Sequence, residues 1–105
     1  MTDTPDIPNT RAASPAPRIA ITYCTQCLWL LRAAWMAQEL LSTFSTELGE
    51  VALVPGTGGI FQIRYDDTLI WDRKTDGGFP EAKVLKQRVR DRLDPGRDMG
   101  HVDRV

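Results

Sequence analysis

The sequence is short of the features that mark secreted, membrane-spanning or nucleic-acid-coating chains. Only 2 of its 105 residues are cysteine, too few for the disulfide framework on which small secreted domains depend. The longest apolar runs, 27–31 and 33–37, are five residues each and are separated by Arg32. A spanning helix needs about 20 such residues, so no membrane crossing is expected. Neither sign of charge prevails. Lys and Arg number 13 against 14 Asp and Glu, a net charge of −1, which argues against a polycation built to neutralise phosphates. The single histidine, His101, lies near the end of the chain and reads as an exposed tail residue without a catalytic role. Residues 1–17 contain Asp3 and Asp6 and no apolar stretch, so nothing there reads as a secretory signal and a cytoplasmic location is expected.

The length fits one domain. Four of the seven prolines (Pro5, Pro8, Pro15 and Pro17) fall in residues 1–17, which reads as a disordered leader with little to bury. Residues 94–105 open with Asp-Pro-Gly and form a polar tail. The folded domain is therefore expected over 18–93.

Within that span the periodicity alternates. Arg18–Tyr23 is β-prone and ends at the first cysteine. From Cys27 the period turns helical: Leu30, Ala34, Ala37, Leu41, Phe44 and Leu48 step by four and three, predicting a stripe on a long helix that Gly49 stops. Leu28, Trp29, Trp35 and Met36 fall off that stripe. They predict a helix apolar around much of its first half, either covered broadly by the sheet and the second helix or left with an exposed patch for a partner or a second copy of the chain.

Val51–Val54 is a continuous apolar run, as in a buried strand. Ile60–Tyr65 and Thr68–Asp72 then read as a hairpin about Asp66-Asp67. Gly77-Gly-Phe-Pro80 breaks the chain, and Pro80 suits the first turn of a helix ending at Leu93. Its Lys83, Lys86, Arg88, Arg90 and Arg92 predict a solvated basic face. The order β-α-β-β-β-α, with one parallel crossover and an antiparallel hairpin, defines an α/β (α+β) protein of thioredoxin-like plan: a mixed four-stranded sheet with two helices.

The cysteines are Cys24 and Cys27, a Cys-x-x-Cys at the expected strand-to-helix turn. Helix N-terminal amides favour negative charge and lower a thiol pKa, and a second thiol one turn away can resolve a mixed disulfide. Zinc needs four ligands, so one chain could supply only half a site, and a zinc-bridged dimer ranks below a redox dithiol. Gly56-Thr-Gly-Gly59 lacks the third glycine of a dinucleotide fingerprint, Phe61 standing there, and reads as a tight turn. Thr25, Gln26, Gly58 and Phe79 are the candidate rim of the site, Phe79 as an apolar wall.

Three segments extend the motif: Val54-Pro-Gly-Thr-Gly-Gly-Ile-Phe61, Leu69-Ile-Trp-Asp-Arg-Lys74 and Gly77-Gly-Phe-Pro-Glu-Ala-Lys-Val-Leu-Lys-Gln87. With the Cys-x-x-Cys, and in this order, the sequence over about 18–93 resembles the selenoprotein W-like branch of the SelT/SelW/SelH (Rdx) family. The resemblance implies a thioredoxin-like fold and a thiol-based redox role, with glutathione or protein thiols as partners and Cys24 and Cys27 as the reacting groups. No metal or organic cofactor is implied, nor nucleic acid or membrane, whereas a homodimer through the first helix would hide its apolar patch. In the animal members selenocysteine takes the position of Cys27, which favours Cys27 as the nucleophile; helix geometry and the thioredoxin pattern favour Cys24 as the exposed attacking thiol. The reading leans to Cys27, with Cys24 resolving it. The rival is a non-enzymatic module whose partner binding changes with oxidation of the pair.

Overall fold

The computed structural model describes residues 16–97, 99 and 100. Most of the expected leader, His101 and the end of the tail lie outside the described residues. Four strands form one sheet in the order β2-β1-β3-β4: β1 Arg18–Cys24, β2 Glu50–Gly56, β3 Phe61–Tyr65 and β4 Thr68–Asp72. β1 pairs parallel with β2 and antiparallel with β3, and β3 pairs antiparallel with β4. Parallel pairing requires a crossover, which helix α1, Leu30–Phe44, supplies. A four-residue helix α2, Arg73–Asp76, follows β4, and α3 runs over Ala82–Leu93. α1 packs on β1 and β2, α3 packs on β4, and the two helices touch. This is the expected mixed sheet, with the expected order of strands and of the two long helices.

Strand alternation places the core. Ile19, Ile21 and Tyr23 oppose Tyr65, Ile63 and Phe61 across the β1–β3 ladder, and this set packs with Ala33, Met36, Ala37, Leu40 and Phe44 of α1 and Leu85 and Val89 of α3. In β4 a register shift beside Ile63 and Arg64 lets two consecutive residues, Ile70 and Trp71, both be buried. The hairpin turn uses Asp66 at φ 53°, a left-handed conformation that Asp tolerates. The Arg18 N–H donates to the Asp66 carboxylate at 2.9 Å.

Several local expectations are corrected. The buried stripe of α1 is Ala33, Met36, Ala37, Leu40 and Phe44, so Ala37 and Phe44 keep their places while Leu30 and Leu41 are exposed. Both sets satisfy a helical period. The observed one turns two small alanines inward, and Met36 fills the core instead of lying off it. Trp29 likewise packs against the core.

β2 is an edge strand with Leu53 exposed, not a buried one. Pro80 is buried but precedes α3, whose N-cap is Glu81; the bond before it is trans, as are all described peptide bonds. The basic face of α3 is not simply solvated either. Lys86 pairs with Glu39, Arg88 donates to the Ile70 carbonyl at 2.6 Å and lies over Trp71, and Arg92 donates to Thr68.

α2 was not anticipated. Asp72 caps it by accepting from the Lys74 N–H and the Thr75 hydroxyl, and Gly77 at φ 81° closes it.

Candidate functional site

Cys24 is the last residue of β1, opposite Gly56 of β2. The chain then leaves the sheet in a turn rather than entering the helix. The Leu28 N–H donates to the Thr25 carbonyl at 3.2 Å, Leu28 takes φ 62°, and α1 starts only at Leu30 with Trp29 as N-cap. The expectation that the Cys-x-x-Cys straddles the end of the first strand and the start of the first helix therefore holds at the strand, which Cys24 ends, and is corrected at the helix. A left-handed Leu28 breaks the helical hand, and Cys27 stands two residues ahead of the cap.

The donors that serve a thiolate here come from the turn and from the neighbouring glycine loop. The Cys24 thiol is held below its ordinary range, chiefly by a hydrogen bond from the Cys27 thiol; burial opposes this, and the backbone N–H groups of Gly59, Cys27 and Gln26 assist it. The Cys27 thiol is pushed up, first by that same bond, then by burial and by the negative charge of Cys24. The Gly59 N–H and the Arg73 charge pull it back. The two thiols are free and share one proton network. Access runs opposite to acidity: Cys24 is 1% exposed, while Cys27 is half-buried. An exposed attacking Cys24, one of the two sequence-based alternatives, is not what the fold presents.

Of the expected rim residues, Thr25 and Gln26 are exposed in the turn. Thr25 ties the turn to β2, its N–H and hydroxyl both donating to the Gly56 carbonyl at 2.9 and 3.1 Å. Gly58, at φ 73°, is next to Gly59 at φ 77°, two left-handed residues that glycine alone adopts at little cost. Phe79 joins a cluster of rings, 4.9 Å from both Trp29 and Phe61. Its turn is tied to β4 by the Trp71 indole N–H, which donates to the Gly78 carbonyl at 2.9 Å.

Sequence reasoning passed over two residues at this cluster. Arg73 donates through Nε and Nη2 to the Gly59 carbonyl at 3.3 and 3.1 Å and lies 5.0 Å over the Trp29 ring. Arg32 lies 4.1 Å over Phe79. The Asp72…Gly77 cap pair was the available signal for the turn that carries Arg73; its reach to Gly59 is a tertiary contact.

Beside the turn runs a groove of about 410 Å³ lined by Tyr23, Thr25, Leu28, Leu30 and Leu31. Leu28 is 85% and Leu31 82% exposed. Among the described residues no group of three or more His, Cys, Asp or Glu is placed to hold a metal ion, and no helix is long and apolar enough to cross a membrane.

A central strand ending in a dithiol, on a mixed sheet backed by two helices, defines a thioredoxin-like protein of redox type. The Rdx family model matches residues 18–91, and the chain belongs to the Rdx family. It is 62% identical to a selenoprotein W-related protein from Vibrio cholerae, whose crystal structure superposes with a TM-score of 0.73 over 74% of this chain and 98% of that one. A crystal structure of a protein from Bordetella parapertussis is 78% identical, with a TM-score of 0.73 over 73% of this chain and 98% of that chain. No curated protein matches.

Proposed function

We propose that the protein is a cytoplasmic thiol–disulfide oxidoreductase that cycles Cys24 and Cys27 between dithiol and disulfide, exchanging electrons with glutathione or protein thiols. The observation that supports this reading is the asymmetric pair: an acidified sulfur, Cys24, buried against backbone N–H donors, hydrogen-bonded to a more accessible one, Cys27. Accessibility makes Cys27 the attacking group, with Cys24 as its base.

In the oxidising direction the Cys27 proton passes to Cys24 as the Cys27 sulfur attacks a partner disulfide. One S–S bond forms, the partner's breaks, and the departing thiolate takes a proton from water. Cys24 then attacks the mixed disulfide as its proton passes to the departing partner sulfur, closing the Cys24–Cys27 bond and releasing the second partner thiol. The chain's two thiols lose two electrons, and the partner disulfide gains them. No metal or organic cofactor enters.

A second reading rests on the exposed Leu28 and Leu31 beside the motif: a redox-sensing interaction module whose binding changes on oxidation without turnover, the same face serving a partner or a second copy of the chain.

Titration of the metal-free protein against glutathione buffers, with Cys24 and Cys27 read by alkylation and mass, tests the cycle. The expected result is a reversible intramolecular disulfide with a midpoint between roughly −180 and −270 mV. With glutathione disulfide, Cys24→Ser should accumulate a mixed disulfide at Cys27, whereas Cys27→Ser should accumulate little. No disulfide anywhere in the range would overturn the cycle. Stoichiometric capture of one protein without turnover would favour the module.

A further inference from the structure

We propose that Arg73 is a positioning residue for the dithiol: its guanidinium fixes the Gly59 backbone against the two sulfurs and brings a positive charge to the Cys27 side. The inference rests on the dithiol reading above and deepens it.

Gly58 and Gly59 both lie in the left-handed region and carry no side chain to pin them. The loop would sample many orientations unless something held it. Arg73 holds it by two donors on one carbonyl, Nε at 3.3 Å and Nη2 at 3.1 Å. The Gly59 N–H, on the other side of the same Cα, is the donor that faces both sulfurs. The guanidinium also lies over the Trp29 ring, and the Trp29 backbone N–H donates to the Cys24 carbonyl at 3.4 Å. One planar cation thus touches both segments that shape the dithiol, the glycine loop and the end of the Cys-x-x-Cys turn.

Arg73 is itself held. Its carbonyl accepts from the Gly77 and Gly78 N–H groups at 3.0 and 2.9 Å, and Asp72 caps the turn on which it sits. The side chain therefore projects from a fixed base, as a preorganised donor must. A lysine could supply the charge but not the planar fork.

The test uses the full reduced chain with Arg73→Gln and Arg73→Lys. The rate of iodoacetamide alkylation is followed from acid to alkaline pH, Cys24 and Cys27 are resolved by mass, and thermal unfolding reports the fold. Arg73→Gln should move both thiol profiles to higher pH and slow alkylation near neutrality by about three- to tenfold. It should also make the dithiol–disulfide couple more reducing, because the thiolate state loses its support. Arg73→Lys should recover only part of the loss.

A folded Arg73→Gln protein whose profiles superimpose on the parent's would overturn the proposal. So would an Arg73→Lys protein indistinguishable from the parent, since charge without the fork would then suffice. If Arg73→Gln fails to fold, the lysine variant decides. The alkylation profiles need no redox partner: a parent that never closes its disulfide defeats the oxidoreductase reading, while the profiles still judge Arg73.

Discussion

Lys86 Nζ lies 2.8 Å from Glu39 Oε1, joining α3 to α1 through a pair whose ammonium side is far more buried than its carboxylate side: the side chains are 10% and 34% exposed. An ion taken from water costs several kcal/mol unless its partner stays in place. The two halves of the pair therefore have unequal consequences. Glu39→Gln strands a buried cation and should lose about 1–3 kcal/mol, whereas Lys86→Met leaves a carboxylate that water can reach and should fall within about 1 kcal/mol of the parent. Urea unfolding of both variants checks this, and equal losses would refute it.

Gly56 makes room where β2 meets the cysteine turn. A Cβ there would sit 2.7 Å from Ile60 Cγ2, 3.2 Å from Thr22 Cγ2 and 3.4 Å from the Tyr23 carbonyl oxygen. Gly56→Ala should cost about 1–3 kcal/mol by overpacking. It should also loosen the Gly56 carbonyl that accepts twice from Thr25, so that Cys27 alkylates at an altered rate. An alanine variant of parental stability would show that Ile60 gives way freely.

Acid should weaken the α2 corner. The Asp72 N–H, and after it the Arg88 guanidinium, hold the Asp76 carboxyl below its usual value of 3.8. Because the folded-state value is the lower one, the stabilisation is fully present above the ordinary carboxylate range and is lost as pH falls through the lowered value. The group is near the surface, so the effect should stay under about 1 kcal/mol. Asp76→Asn should be less stable than the parent at neutral pH, and the difference should close in strong acid. A gap that persists there would exclude titration of Asp76 as its cause.

The element order, the hairpin about Asp66 and the pairing of a Cys-x-x-Cys with a strand end were legible because each rests on local pattern. The phase of α1 was not. Its first half is apolar on several faces, so Leu30–Ala34–Leu41 and Ala33–Ala37–Leu40 both keep helical period, and only the sheet decides between them. Val51–Val54 announces a strand, but an apolar run cannot say whether one neighbour or two will pair with it, and β2 has one. The basic residues of α3 look like a solvated face until Ile70, Trp71 and Glu39 are brought beside them. Arg73 was hidden for the same reason: its partners Gly59 and Trp29 are close to it only in the folded chain.

β1 is hydrogen-bonded along both of its long sides, and Cys24 is its final residue while Cys27 lies three residues beyond it in the turn. Cys24 belongs to a strand paired on both sides, while Cys27 rides on a turn held to the sheet chiefly through Thr25. In amide hydrogen exchange the reduced protein should show two units meeting at the motif, slow over Ile19–Cys24 and faster at Gln26 and Cys27 in the turn. A bond between the sulfurs would staple the second unit to the first. Oxidation should then protect the turn amides and leave those of β1 unchanged, so the electron count of the site would be written in the lifetime of its backbone hydrogens.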